Sequence, residues 1–145
     1  MAAPAYTWEF NCDLFGDRVP KVVTLEAAAS LETKIGTLVS MSSGQVAATT
    51  DGSADKIIGL AMEATTAALS AADPIKVAIL APGMVIKGTA VDTAASTSGF
   101  TSKAQDLDAD GRLDPDDVTG GGLSTWRTED SGLTVYCVVC AGAII

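Results

Sequence analysis

Short runs of apolar and β-branched residues recur along the chain, and clusters of Gly, Pro, Ser and Asp separate them. Apolar positions at helical spacing are nearly absent, so the pattern predicts strands. The predicted strands cover residues 21–26, 37–41, 45–49, 56–63, 75–80, 84–87 and 133–140. Many short strands are typical of a β-sandwich or a small β-barrel. The sequence therefore predicts an all-β fold with little helix.

Turn residues predict how some of these strands connect. Gly44 follows two serines and is free to adopt a positive φ, so it is expected to join two short strands. The tight turn at residues 81–83, with Pro followed by Gly, predicts a hairpin between the strands on either side. Residues 64–72 are rich in Ala but have no apolar stripe, so a loop or a single turn is as consistent with them as a helix.

Four of the chain's seven aromatic residues lie ahead of the first predicted strand. Terminal segments fray unless something holds them, and exposed aromatic side chains on a frayed segment lower solubility. We therefore expect this segment to dock onto a neighbouring protein, because aromatic residues are favoured as interface anchors. The alternative is a strap that closes the chain's own core. Residues 1–19 are predicted to be an extended N-terminal arm and residues 20–145 a single β-barrel domain, with these candidate binding residues in the arm: Tyr6, Trp8, Phe10 and Phe15.

An acidic stretch at residues 106–117 matches the spacing of a calcium-binding loop, with Gly111 at the sharp turn. A calcium loop of this type needs a helix on each side, and the three glycines at 120–122 oppose one. A β-hairpin with its turn at residues 108–111 is therefore favoured, as part of an acidic hairpin loop across residues 102–122 with a solvent-facing tip. The candidate Ca²⁺ ligands of the less favoured interpretation are Asp106, Asp108, Asp110, Asp114 and Asp117.

Composition narrows the function classes. Asp and Glu outnumber Lys and Arg by 18 to 9, which gives a formal net charge of −9. This balance argues against nucleic acid and against membranes as partners, because those contacts need clustered cations. The chain has no His, which excludes Ser-His and Cys-His catalytic pairs, and no Gly-rich phosphate-binding motif. We predict that the protein is not an enzyme and has no cofactor other than a possible Ca²⁺ ion.

The three cysteines are Cys12, Cys137 and Cys140. Their odd number does not suggest a disulfide framework, and the last two lie three residues apart in a predicted strand, so we interpret them as buried apolar thiols. The first residues do not form a secretory signal, and the longest apolar run is too short to span a bilayer. These features predict synthesis in a cytoplasm-like compartment.

Across residues 19–91 the chain is similar to the head-decoration, or capsid cement, proteins of tailed bacteriophages. The resemblance rests on an early strand, on the run GTLVSMSSGQVAATTDGSADKIIGLAME, and on a strand DPIKVAIL closed by a Pro-Gly turn. It implies a small β-tulip-like barrel with an extended arm. It also implies a homotrimer on the outer surface of the virion's expanded capsid, at three-fold and quasi-three-fold sites, where it cements neighbouring capsomers.

The partners implied by this resemblance are the major capsid protein and further copies of the chain, after synthesis in the cytoplasm of the bacterial host. The aromatic residues of the arm would bind the capsid. Two other functions remain open on the sequence. One is a calcium-dependent β-rich binding module, and the other is a different virion β-barrel, such as a tail-tube or head-completion subunit.

Overall fold

The structure is a computed structural model, and it describes residues 3–49, 52–92 and 104–140. The fold is nearly all β, with 47% strand and 4% helix. The helical elements of the described residues are two single turns of 3-10 helix, Ala54–Lys56 and Asp130–Gly132. The strands there are β1 (Glu9–Asp13), β2 (Val22–Glu26), β3 (Leu38–Ser42), β4 (Gln45–Ala48), β5 (Ile57–Ala61), β6 (Pro74–Ile79), β7 (Met84–Thr89), β8 (Asp106–Leu107), β9 (Leu113–Asp114), β10 (Leu123–Glu129) and β11 (Thr134–Val139).

These strands form three antiparallel sheets. We call the four-stranded sheet with the order β1-β7-β11-β10 the first sheet, and the five-stranded sheet with the order β2-β6-β5-β3-β4 the second sheet. The third is the small hairpin of β8 and β9. The chain passes from the second sheet to the first at the turn between β6 and β7.

The second sheet curls until its two edges meet at one point. The backbone N–H of Ala28 donates to the carbonyl of Val46 at 2.9 Å, and Ala27 and Val46 form a single parallel bridge. A single bridge is not a ladder of strand pairs, so the described residues do not form a closed barrel. The curl encloses a small apolar core that includes Val39, Ile58 and Val77.

A larger core lies between the two sheets and is lined by alternate residues of both. Ile86, Val135 and Cys137 come from the first sheet, and Leu60 comes from the second. Leu107 and Leu113, which pair across the small hairpin, are fully buried in the same core. The hairpin is therefore fixed to the body by apolar packing.

The opposite face of the first sheet carries a third cluster, which includes Val85, Tyr136 and Val138. The guanidinium of Arg127 lies 4.1 Å from the centre of the Tyr136 ring, and the Lys87 ammonium lies 5.6 Å from it. Long cationic side chains cover apolar surface with their alkyl stems while the charge stays in water. This face is therefore shielded partly by side chains of the sheet itself.

All seven predicted strands are present, with boundaries shifted by a few residues at most. The hairpin around Gly44 is confirmed, and Ser43 and Gly44 both have a positive φ, as a two-residue hairpin turn requires. Residues 64–72 contain no helix. The predicted hairpin between β6 and β7 is wrong: the turn at residues 81–83 is tight, but β6 and β7 belong to different sheets.

The prediction of a separate N-terminal arm is corrected for residues 9–13. They form β1, which pairs with β7 at the edge of the first sheet. The register shifts between Phe10 and Cys12, so Asn11 forms a bulge. The bulge lets Phe10 pack on the core between the sheets while Cys12 packs on the opposite face. The boundary placed after residue 19 therefore does not separate this segment from the body.

In the described parts of the chain, no helix is long and apolar enough to cross a membrane. The apolar residues 141–145, which follow the last predicted strand, lie outside the described residues, as do residues 102 and 103 at the start of the predicted acidic loop.

Candidate functional site

The N-terminal aromatic residues separate into a buried and an exposed group. Trp8 is 3% exposed and belongs to the core between the sheets, and Phe10 packs against that core. Tyr6 is 37% exposed and Phe15 is 79% exposed. Burial removes Trp8 and Phe10 from any role as free anchors in this conformation, so the expectation that all four dock onto a neighbour is corrected for these two. Trp8 and Phe10 instead pack on the chain's own core, as in the alternative in which the N-terminal segment is a strap that closes that core.

Trp8 joins three parts of the fold. Its backbone N–H donates to the carbonyl of Gly36 at 2.8 Å, and its indole Nε1–H donates to the carbonyl of Gly111 at 2.8 Å. The ring packs directly on Gly88 of β7, where a Cβ atom would lie 2.3 Å from the indole. Gly88 therefore creates the space that the indole occupies, and the Nε1 bond satisfies the one polar group of a buried Trp.

Tyr6 contacts the turn of the acidic hairpin. Its backbone N–H donates to the carbonyl of Asp110 at 3.1 Å, and the Arg112 guanidinium lies 4.9 Å from the centre of its ring. Gly111 has a φ of 87°, and a Cβ atom there would lie 2.9 Å from the Tyr6 carbonyl oxygen. Only glycine satisfies both constraints. The expected solvent-facing tip is thus partly covered by the N-terminal segment.

The small β8–β9 hairpin confirms the favoured interpretation of the acidic stretch. Asp106 pairs with Asp114 and Leu107 with Leu113, and the Gly111 N–H donates to the Asp108 carbonyl at 3.3 Å. Asp108 Oδ1 accepts the backbone N–H groups of Asp110 and Arg112, and its Oδ2 accepts Arg112 Nε at 2.9 Å. This carboxylate therefore shapes the turn by local hydrogen bonds.

The five candidate Ca²⁺ ligands are not gathered around one point. Asp106 is buried, and its carboxylate accepts the backbone N–H groups of Gly52 and Ala54. Asp114 and Asp117 each accept a backbone N–H two residues further along the chain. In the ranges that the structure describes, no group of three or more acidic, Cys or His side chains is arranged to hold a metal ion.

Gln105 is a buried polar residue that sequence reasoning missed. Its Oε1 accepts the Thr125 hydroxyl at 2.6 Å, and its Nε2 donates to the Pro115 carbonyl at 3.0 Å. These bonds connect β10 to the residues that follow the small hairpin. Nothing in the local sequence distinguishes Gln105 from a surface residue, because both partners are ten or more positions away.

The loop between β1 and β2 folds around one carboxylate. Asp13 accepts the Phe15 N–H at 3.1 Å and the Arg18 Nε at 2.7 Å, and Arg18 also donates to the Pro82 carbonyl at 3.0 Å. Hydrogen bonds from the Arg18 side chain, and from the backbone of Phe15 and Arg18, lower the pKa of Asp13 from 3.8 to about 2. Val19, on the same loop, is 72% exposed. The loop thus holds two large apolar side chains in water.

The thiols of Cys137 and Cys140 are not activated. Burial raises the pKa of Cys137 to about 12, and burial also raises the pKa of Cys140. Cys137 contacts the Thr125 hydroxyl at 3.9 Å and lies in the core. A thiol with a raised pKa is a poor nucleophile at neutral pH, so packing explains Cys137.

Two grooves flank the N-terminal segment. One, of about 410 Å³, lies beside Trp8 and is bordered by Ile35 and Lys87. The other, of about 720 Å³, is lined mainly by small apolar side chains of residues 3–5, 28–31 and 47–49, together with the turn of the acidic hairpin. Small side chains let an extended backbone approach closely, so the second groove suits a segment of polypeptide.

Neither a comparison with protein-family models nor a comparison with curated proteins gave a match.

Proposed function

We propose that the chain is a structural virion protein that binds the outer surface of an expanded bacteriophage capsid as a trimer, at three-fold and quasi-three-fold sites. Its partners would be the major capsid protein and its own copies, and its effect would be to cement neighbouring capsomers. Ligands that bind only the assembled state stabilise it by mass action. Three linked copies would add avidity to modest single contacts.

The observation that carries the proposal is that most of the run resembling decoration proteins forms a single sheet. Its strands β2 to β6 make up the whole second sheet, and β7 follows directly. The curl of that sheet, with its edges meeting at Ala27 and Val46, is compatible with the small β-tulip-like barrel that the resemblance implies.

The exposed members of the aromatic set supply the binding surface under this proposal. Tyr6 is 37% exposed and directly follows Ala5, which lines the groove of about 720 Å³, and the turn of the acidic hairpin forms one wall of that groove. An extended segment of the capsid protein could lie in the groove against Tyr6, since backbone contacts give affinity and an aromatic anchor gives fit. Phe15 is the second exposed aromatic residue of the set.

The structure changes which experiment tests the binding surface. Deleting residues 1–19 would remove β1 and the buried Trp8, so loss of binding would not separate docking from folding. We expect Tyr6→Ala to keep the fold, because the backbone bond from Tyr6 to Asp110 does not depend on the side chain. We expect saturable binding of the wild-type protein to expanded, undecorated capsids of its own virus, and weaker binding by Tyr6→Ala.

Ile35→Ala is the matched control, because Ile35 is 65% exposed in the other groove. Absence of binding by the wild-type protein would refute the proposed function. Equal binding by wild type and Tyr6→Ala would refute the role of Tyr6 alone. Sedimentation of the free protein separates a trimer from the rings expected of a tail-tube subunit.

A further inference from the structure

β4 is an edge strand of the second sheet, and its outer side is only partly paired. Directly after β4, the Thr49 N–H donates to the Leu38 carbonyl at 2.9 Å, on the side of β3. Successive residues of a strand direct their backbone groups to opposite sides, so Val46 and Ala48 direct theirs away from β3. The Val46 carbonyl accepts the Ala28 N–H there, but in the described part of the chain no backbone group bonds to Ala48 on that side. The N–H and the C=O of Ala48 are therefore open to another strand.

A groove lies beside β4 because the neighbouring chain turns away from it. In a continued parallel ladder, the Ala48 N–H would donate to the Ala28 carbonyl. That carbonyl instead accepts the Leu31 N–H at 3.3 Å, in a turn where Ser30 has a φ of 60°. The strand pairing ends at this turn and leaves the groove of about 720 Å³. We call this space the β4 groove, and it is lined by residues 3–5, 28–32, 47–49 and 109–110.

The edge of β4 lacks the features that protect the edges at β1 and β2. Charged side chains, prolines and bulges blunt free strand edges, which otherwise pair with other chains. β1 has a bulge at Asn11 and the charged residues Glu9 and Asp13, and β2 ends at the charged residue Glu26. β4 has the sequence Gln-Val-Ala-Ala and pairs with β3 without a register shift. This edge is therefore suited to receive an additional strand.

The charge of the β4 groove determines which polypeptide segment it accepts. The two charged residues that line it, Glu32 and Asp110, are both acidic. Arg112 lies 3.4 Å from the Asp110 carboxylate, whereas Glu32 forms no ion pair within the described residues. The whole chain has a net charge of −9, so it attracts basic segments and repels acidic ones. The complementary occupant is an extended segment with a Lys or Arg beside Glu32.

We propose that β4 is a strand-addition site, in which an extended basic segment of the capsid protein bonds to the backbone of Ala48 and places a Lys or Arg beside Glu32. In strand addition, main-chain hydrogen bonds give affinity and side-chain contacts give specificity. This inference deepens the proposed function, because it names the backbone edge and the charge by which the groove recognises its partner. It rests on that function for the identity of the partner, but the site itself is testable on the free protein.

The first experiment selects peptides from a displayed library of random linear sequences on the wild-type protein. Ala48→Pro removes the N–H that faces the groove, and proline is tolerated on the outer side of a sheet edge. Thr24→Pro is the matched control, because the Thr24 N–H faces away from β6 at the opposite edge of the same sheet. Glu32→Lys reverses the charge at the groove, and Glu26→Lys does so at an exposed position outside it. Circular dichroism and urea midpoints check that each variant is folded.

We expect the selected peptides to be basic and to bind wild type, Thr24→Pro and Glu26→Lys equally. Binding should weaken about tenfold in Ala48→Pro, through the loss of one backbone hydrogen bond, and about tenfold in Glu32→Lys, through charge repulsion. N-methylation of alternate peptide amides should also abolish binding, because it blocks the bond to the Ala48 carbonyl without any change to the protein.

The peptide experiment can overturn the proposal in three ways. A library that yields no binder overturns the strand-addition site, and so do peptides that bind Ala48→Pro as tightly as wild type. Binding that survives N-methylation at every set of alternate amides overturns the backbone contact, even if Ala48→Pro fails to fold. Peptides that bind Glu32→Lys as tightly as wild type overturn the requirement for a basic partner.

Expanded, undecorated capsids of its own virus test the identity of the partner separately. We expect Ala48→Pro to bind them less tightly than wild type and Thr24→Pro do. If peptides bind the groove but wild type does not bind capsids, the strand-addition site is supported and the proposed function is refuted. If Ala48→Pro binds capsids like wild type, the proposed function stands and the capsid protein is overturned as the occupant. Association of the free protein that Ala48→Pro abolishes would identify a second copy as the occupant and would likewise overturn the proposal.

Discussion

The indole Nε1–H of Trp8 donates a hydrogen bond of 2.8 Å to the carbonyl of Gly111, although the two residues are 103 positions apart. The bond connects the two features that dominate the sequence, the N-terminal aromatic segment and the acidic stretch. From the sequence alone, the segment is expected to be an extended arm and the acidic stretch a hairpin with a solvent-facing tip. The structure brings them together, so the hairpin turn supports the N-terminal segment and the segment covers the turn.

Substitutions at Trp8 should separate the packing of the indole from its hydrogen bond. We expect Trp8→Ala to lower the free energy of unfolding by about 3–5 kcal/mol, as for other buried aromatic residues. Trp8→Phe keeps a ring over Gly88 but leaves the Gly111 carbonyl without its donor, and should cost about 1–3 kcal/mol. Urea unfolding measures both. Equal stability of wild type and Trp8→Ala would contradict the burial of Trp8.

A substitution at Gly111 should be more costly than the same substitution at a similar turn. Gly111 and Gly44 both have a positive φ, but a Cβ atom on Gly44 meets nothing within 4 Å. Gly44→Ala should therefore cost about 1–2 kcal/mol, which is the penalty for a left-handed backbone. Gly111→Ala adds the clash with the Tyr6 carbonyl and should cost more. If urea midpoints fall equally for the two variants, the close approach of the N-terminal segment to the turn is refuted.

The local pattern of apolar and polar residues was sufficient to predict the strands of the second sheet. Its strands are short apolar runs: in β2 every second residue is exposed, whereas β5 is buried throughout. The turn at Ser43 and Gly44 also follows from residue type alone. The pattern could not show that the tight turn at residues 81–83 moves the chain between sheets, because a Pro-Gly turn serves a hairpin and a sheet-to-sheet connection equally well.

The strands that sequence reasoning missed have interrupted patterns. β1 contains a bulge at Asn11, and β10 has a register shift between Thr125 and Arg127. A bulge changes the face on which the following side chains lie, so the period of two disappears over a strand of five to seven residues. The surroundings of Trp8 were harder to predict than the strands. The burial of Trp8 depends on the small size of Gly88 and on the backbone carbonyl of Gly111 in the distant hairpin.

Asp106 should be a structural residue whose loss destabilises the fold. It is fully buried, and its carboxylate accepts the backbone N–H groups of Gly52 and Ala54. Asp106→Ala leaves those donors without a partner and should cost about 1–3 kcal/mol or more, since the acceptor is charged. Asp116, which is exposed on the same stretch, is the control, and Asp116→Ala should change the urea midpoint little. Equal effects of the two substitutions would contradict this assignment.

Added Ca²⁺ should not stabilise the free protein. Asp108 already accepts two backbone N–H groups and the Arg112 side chain, and Asp106 is directed to the 52–54 segment. A Ca²⁺ ion would have to break these bonds to collect the six or more oxygen ligands that it prefers. Thermal unfolding with Ca²⁺ and with a chelator should therefore give the same midpoint. If Ca²⁺ raises the midpoint of thermal unfolding and Asp108→Asn abolishes that increase, the result would support a calcium-dependent binding module instead.

The Asp13–Arg18 pair should make the loop between β1 and β2 sensitive to acid. The folded protein holds the pKa of Asp13 at about 2, below its ordinary value of 3.8, chiefly through the hydrogen bond from Arg18. Because the folded pKa is the lower one, the stabilisation is present above about pH 4 and is lost as the pH falls towards 2. NMR titration of the Asp13 carboxyl should show the low pKa directly. Arg18→Gln should raise that pKa towards 3.8, while Lys21→Gln, on the same loop, should leave it unchanged. If Asp13 titrates near 3.8 in the wild-type protein, Asp13 does not hold the loop that exposes Phe15.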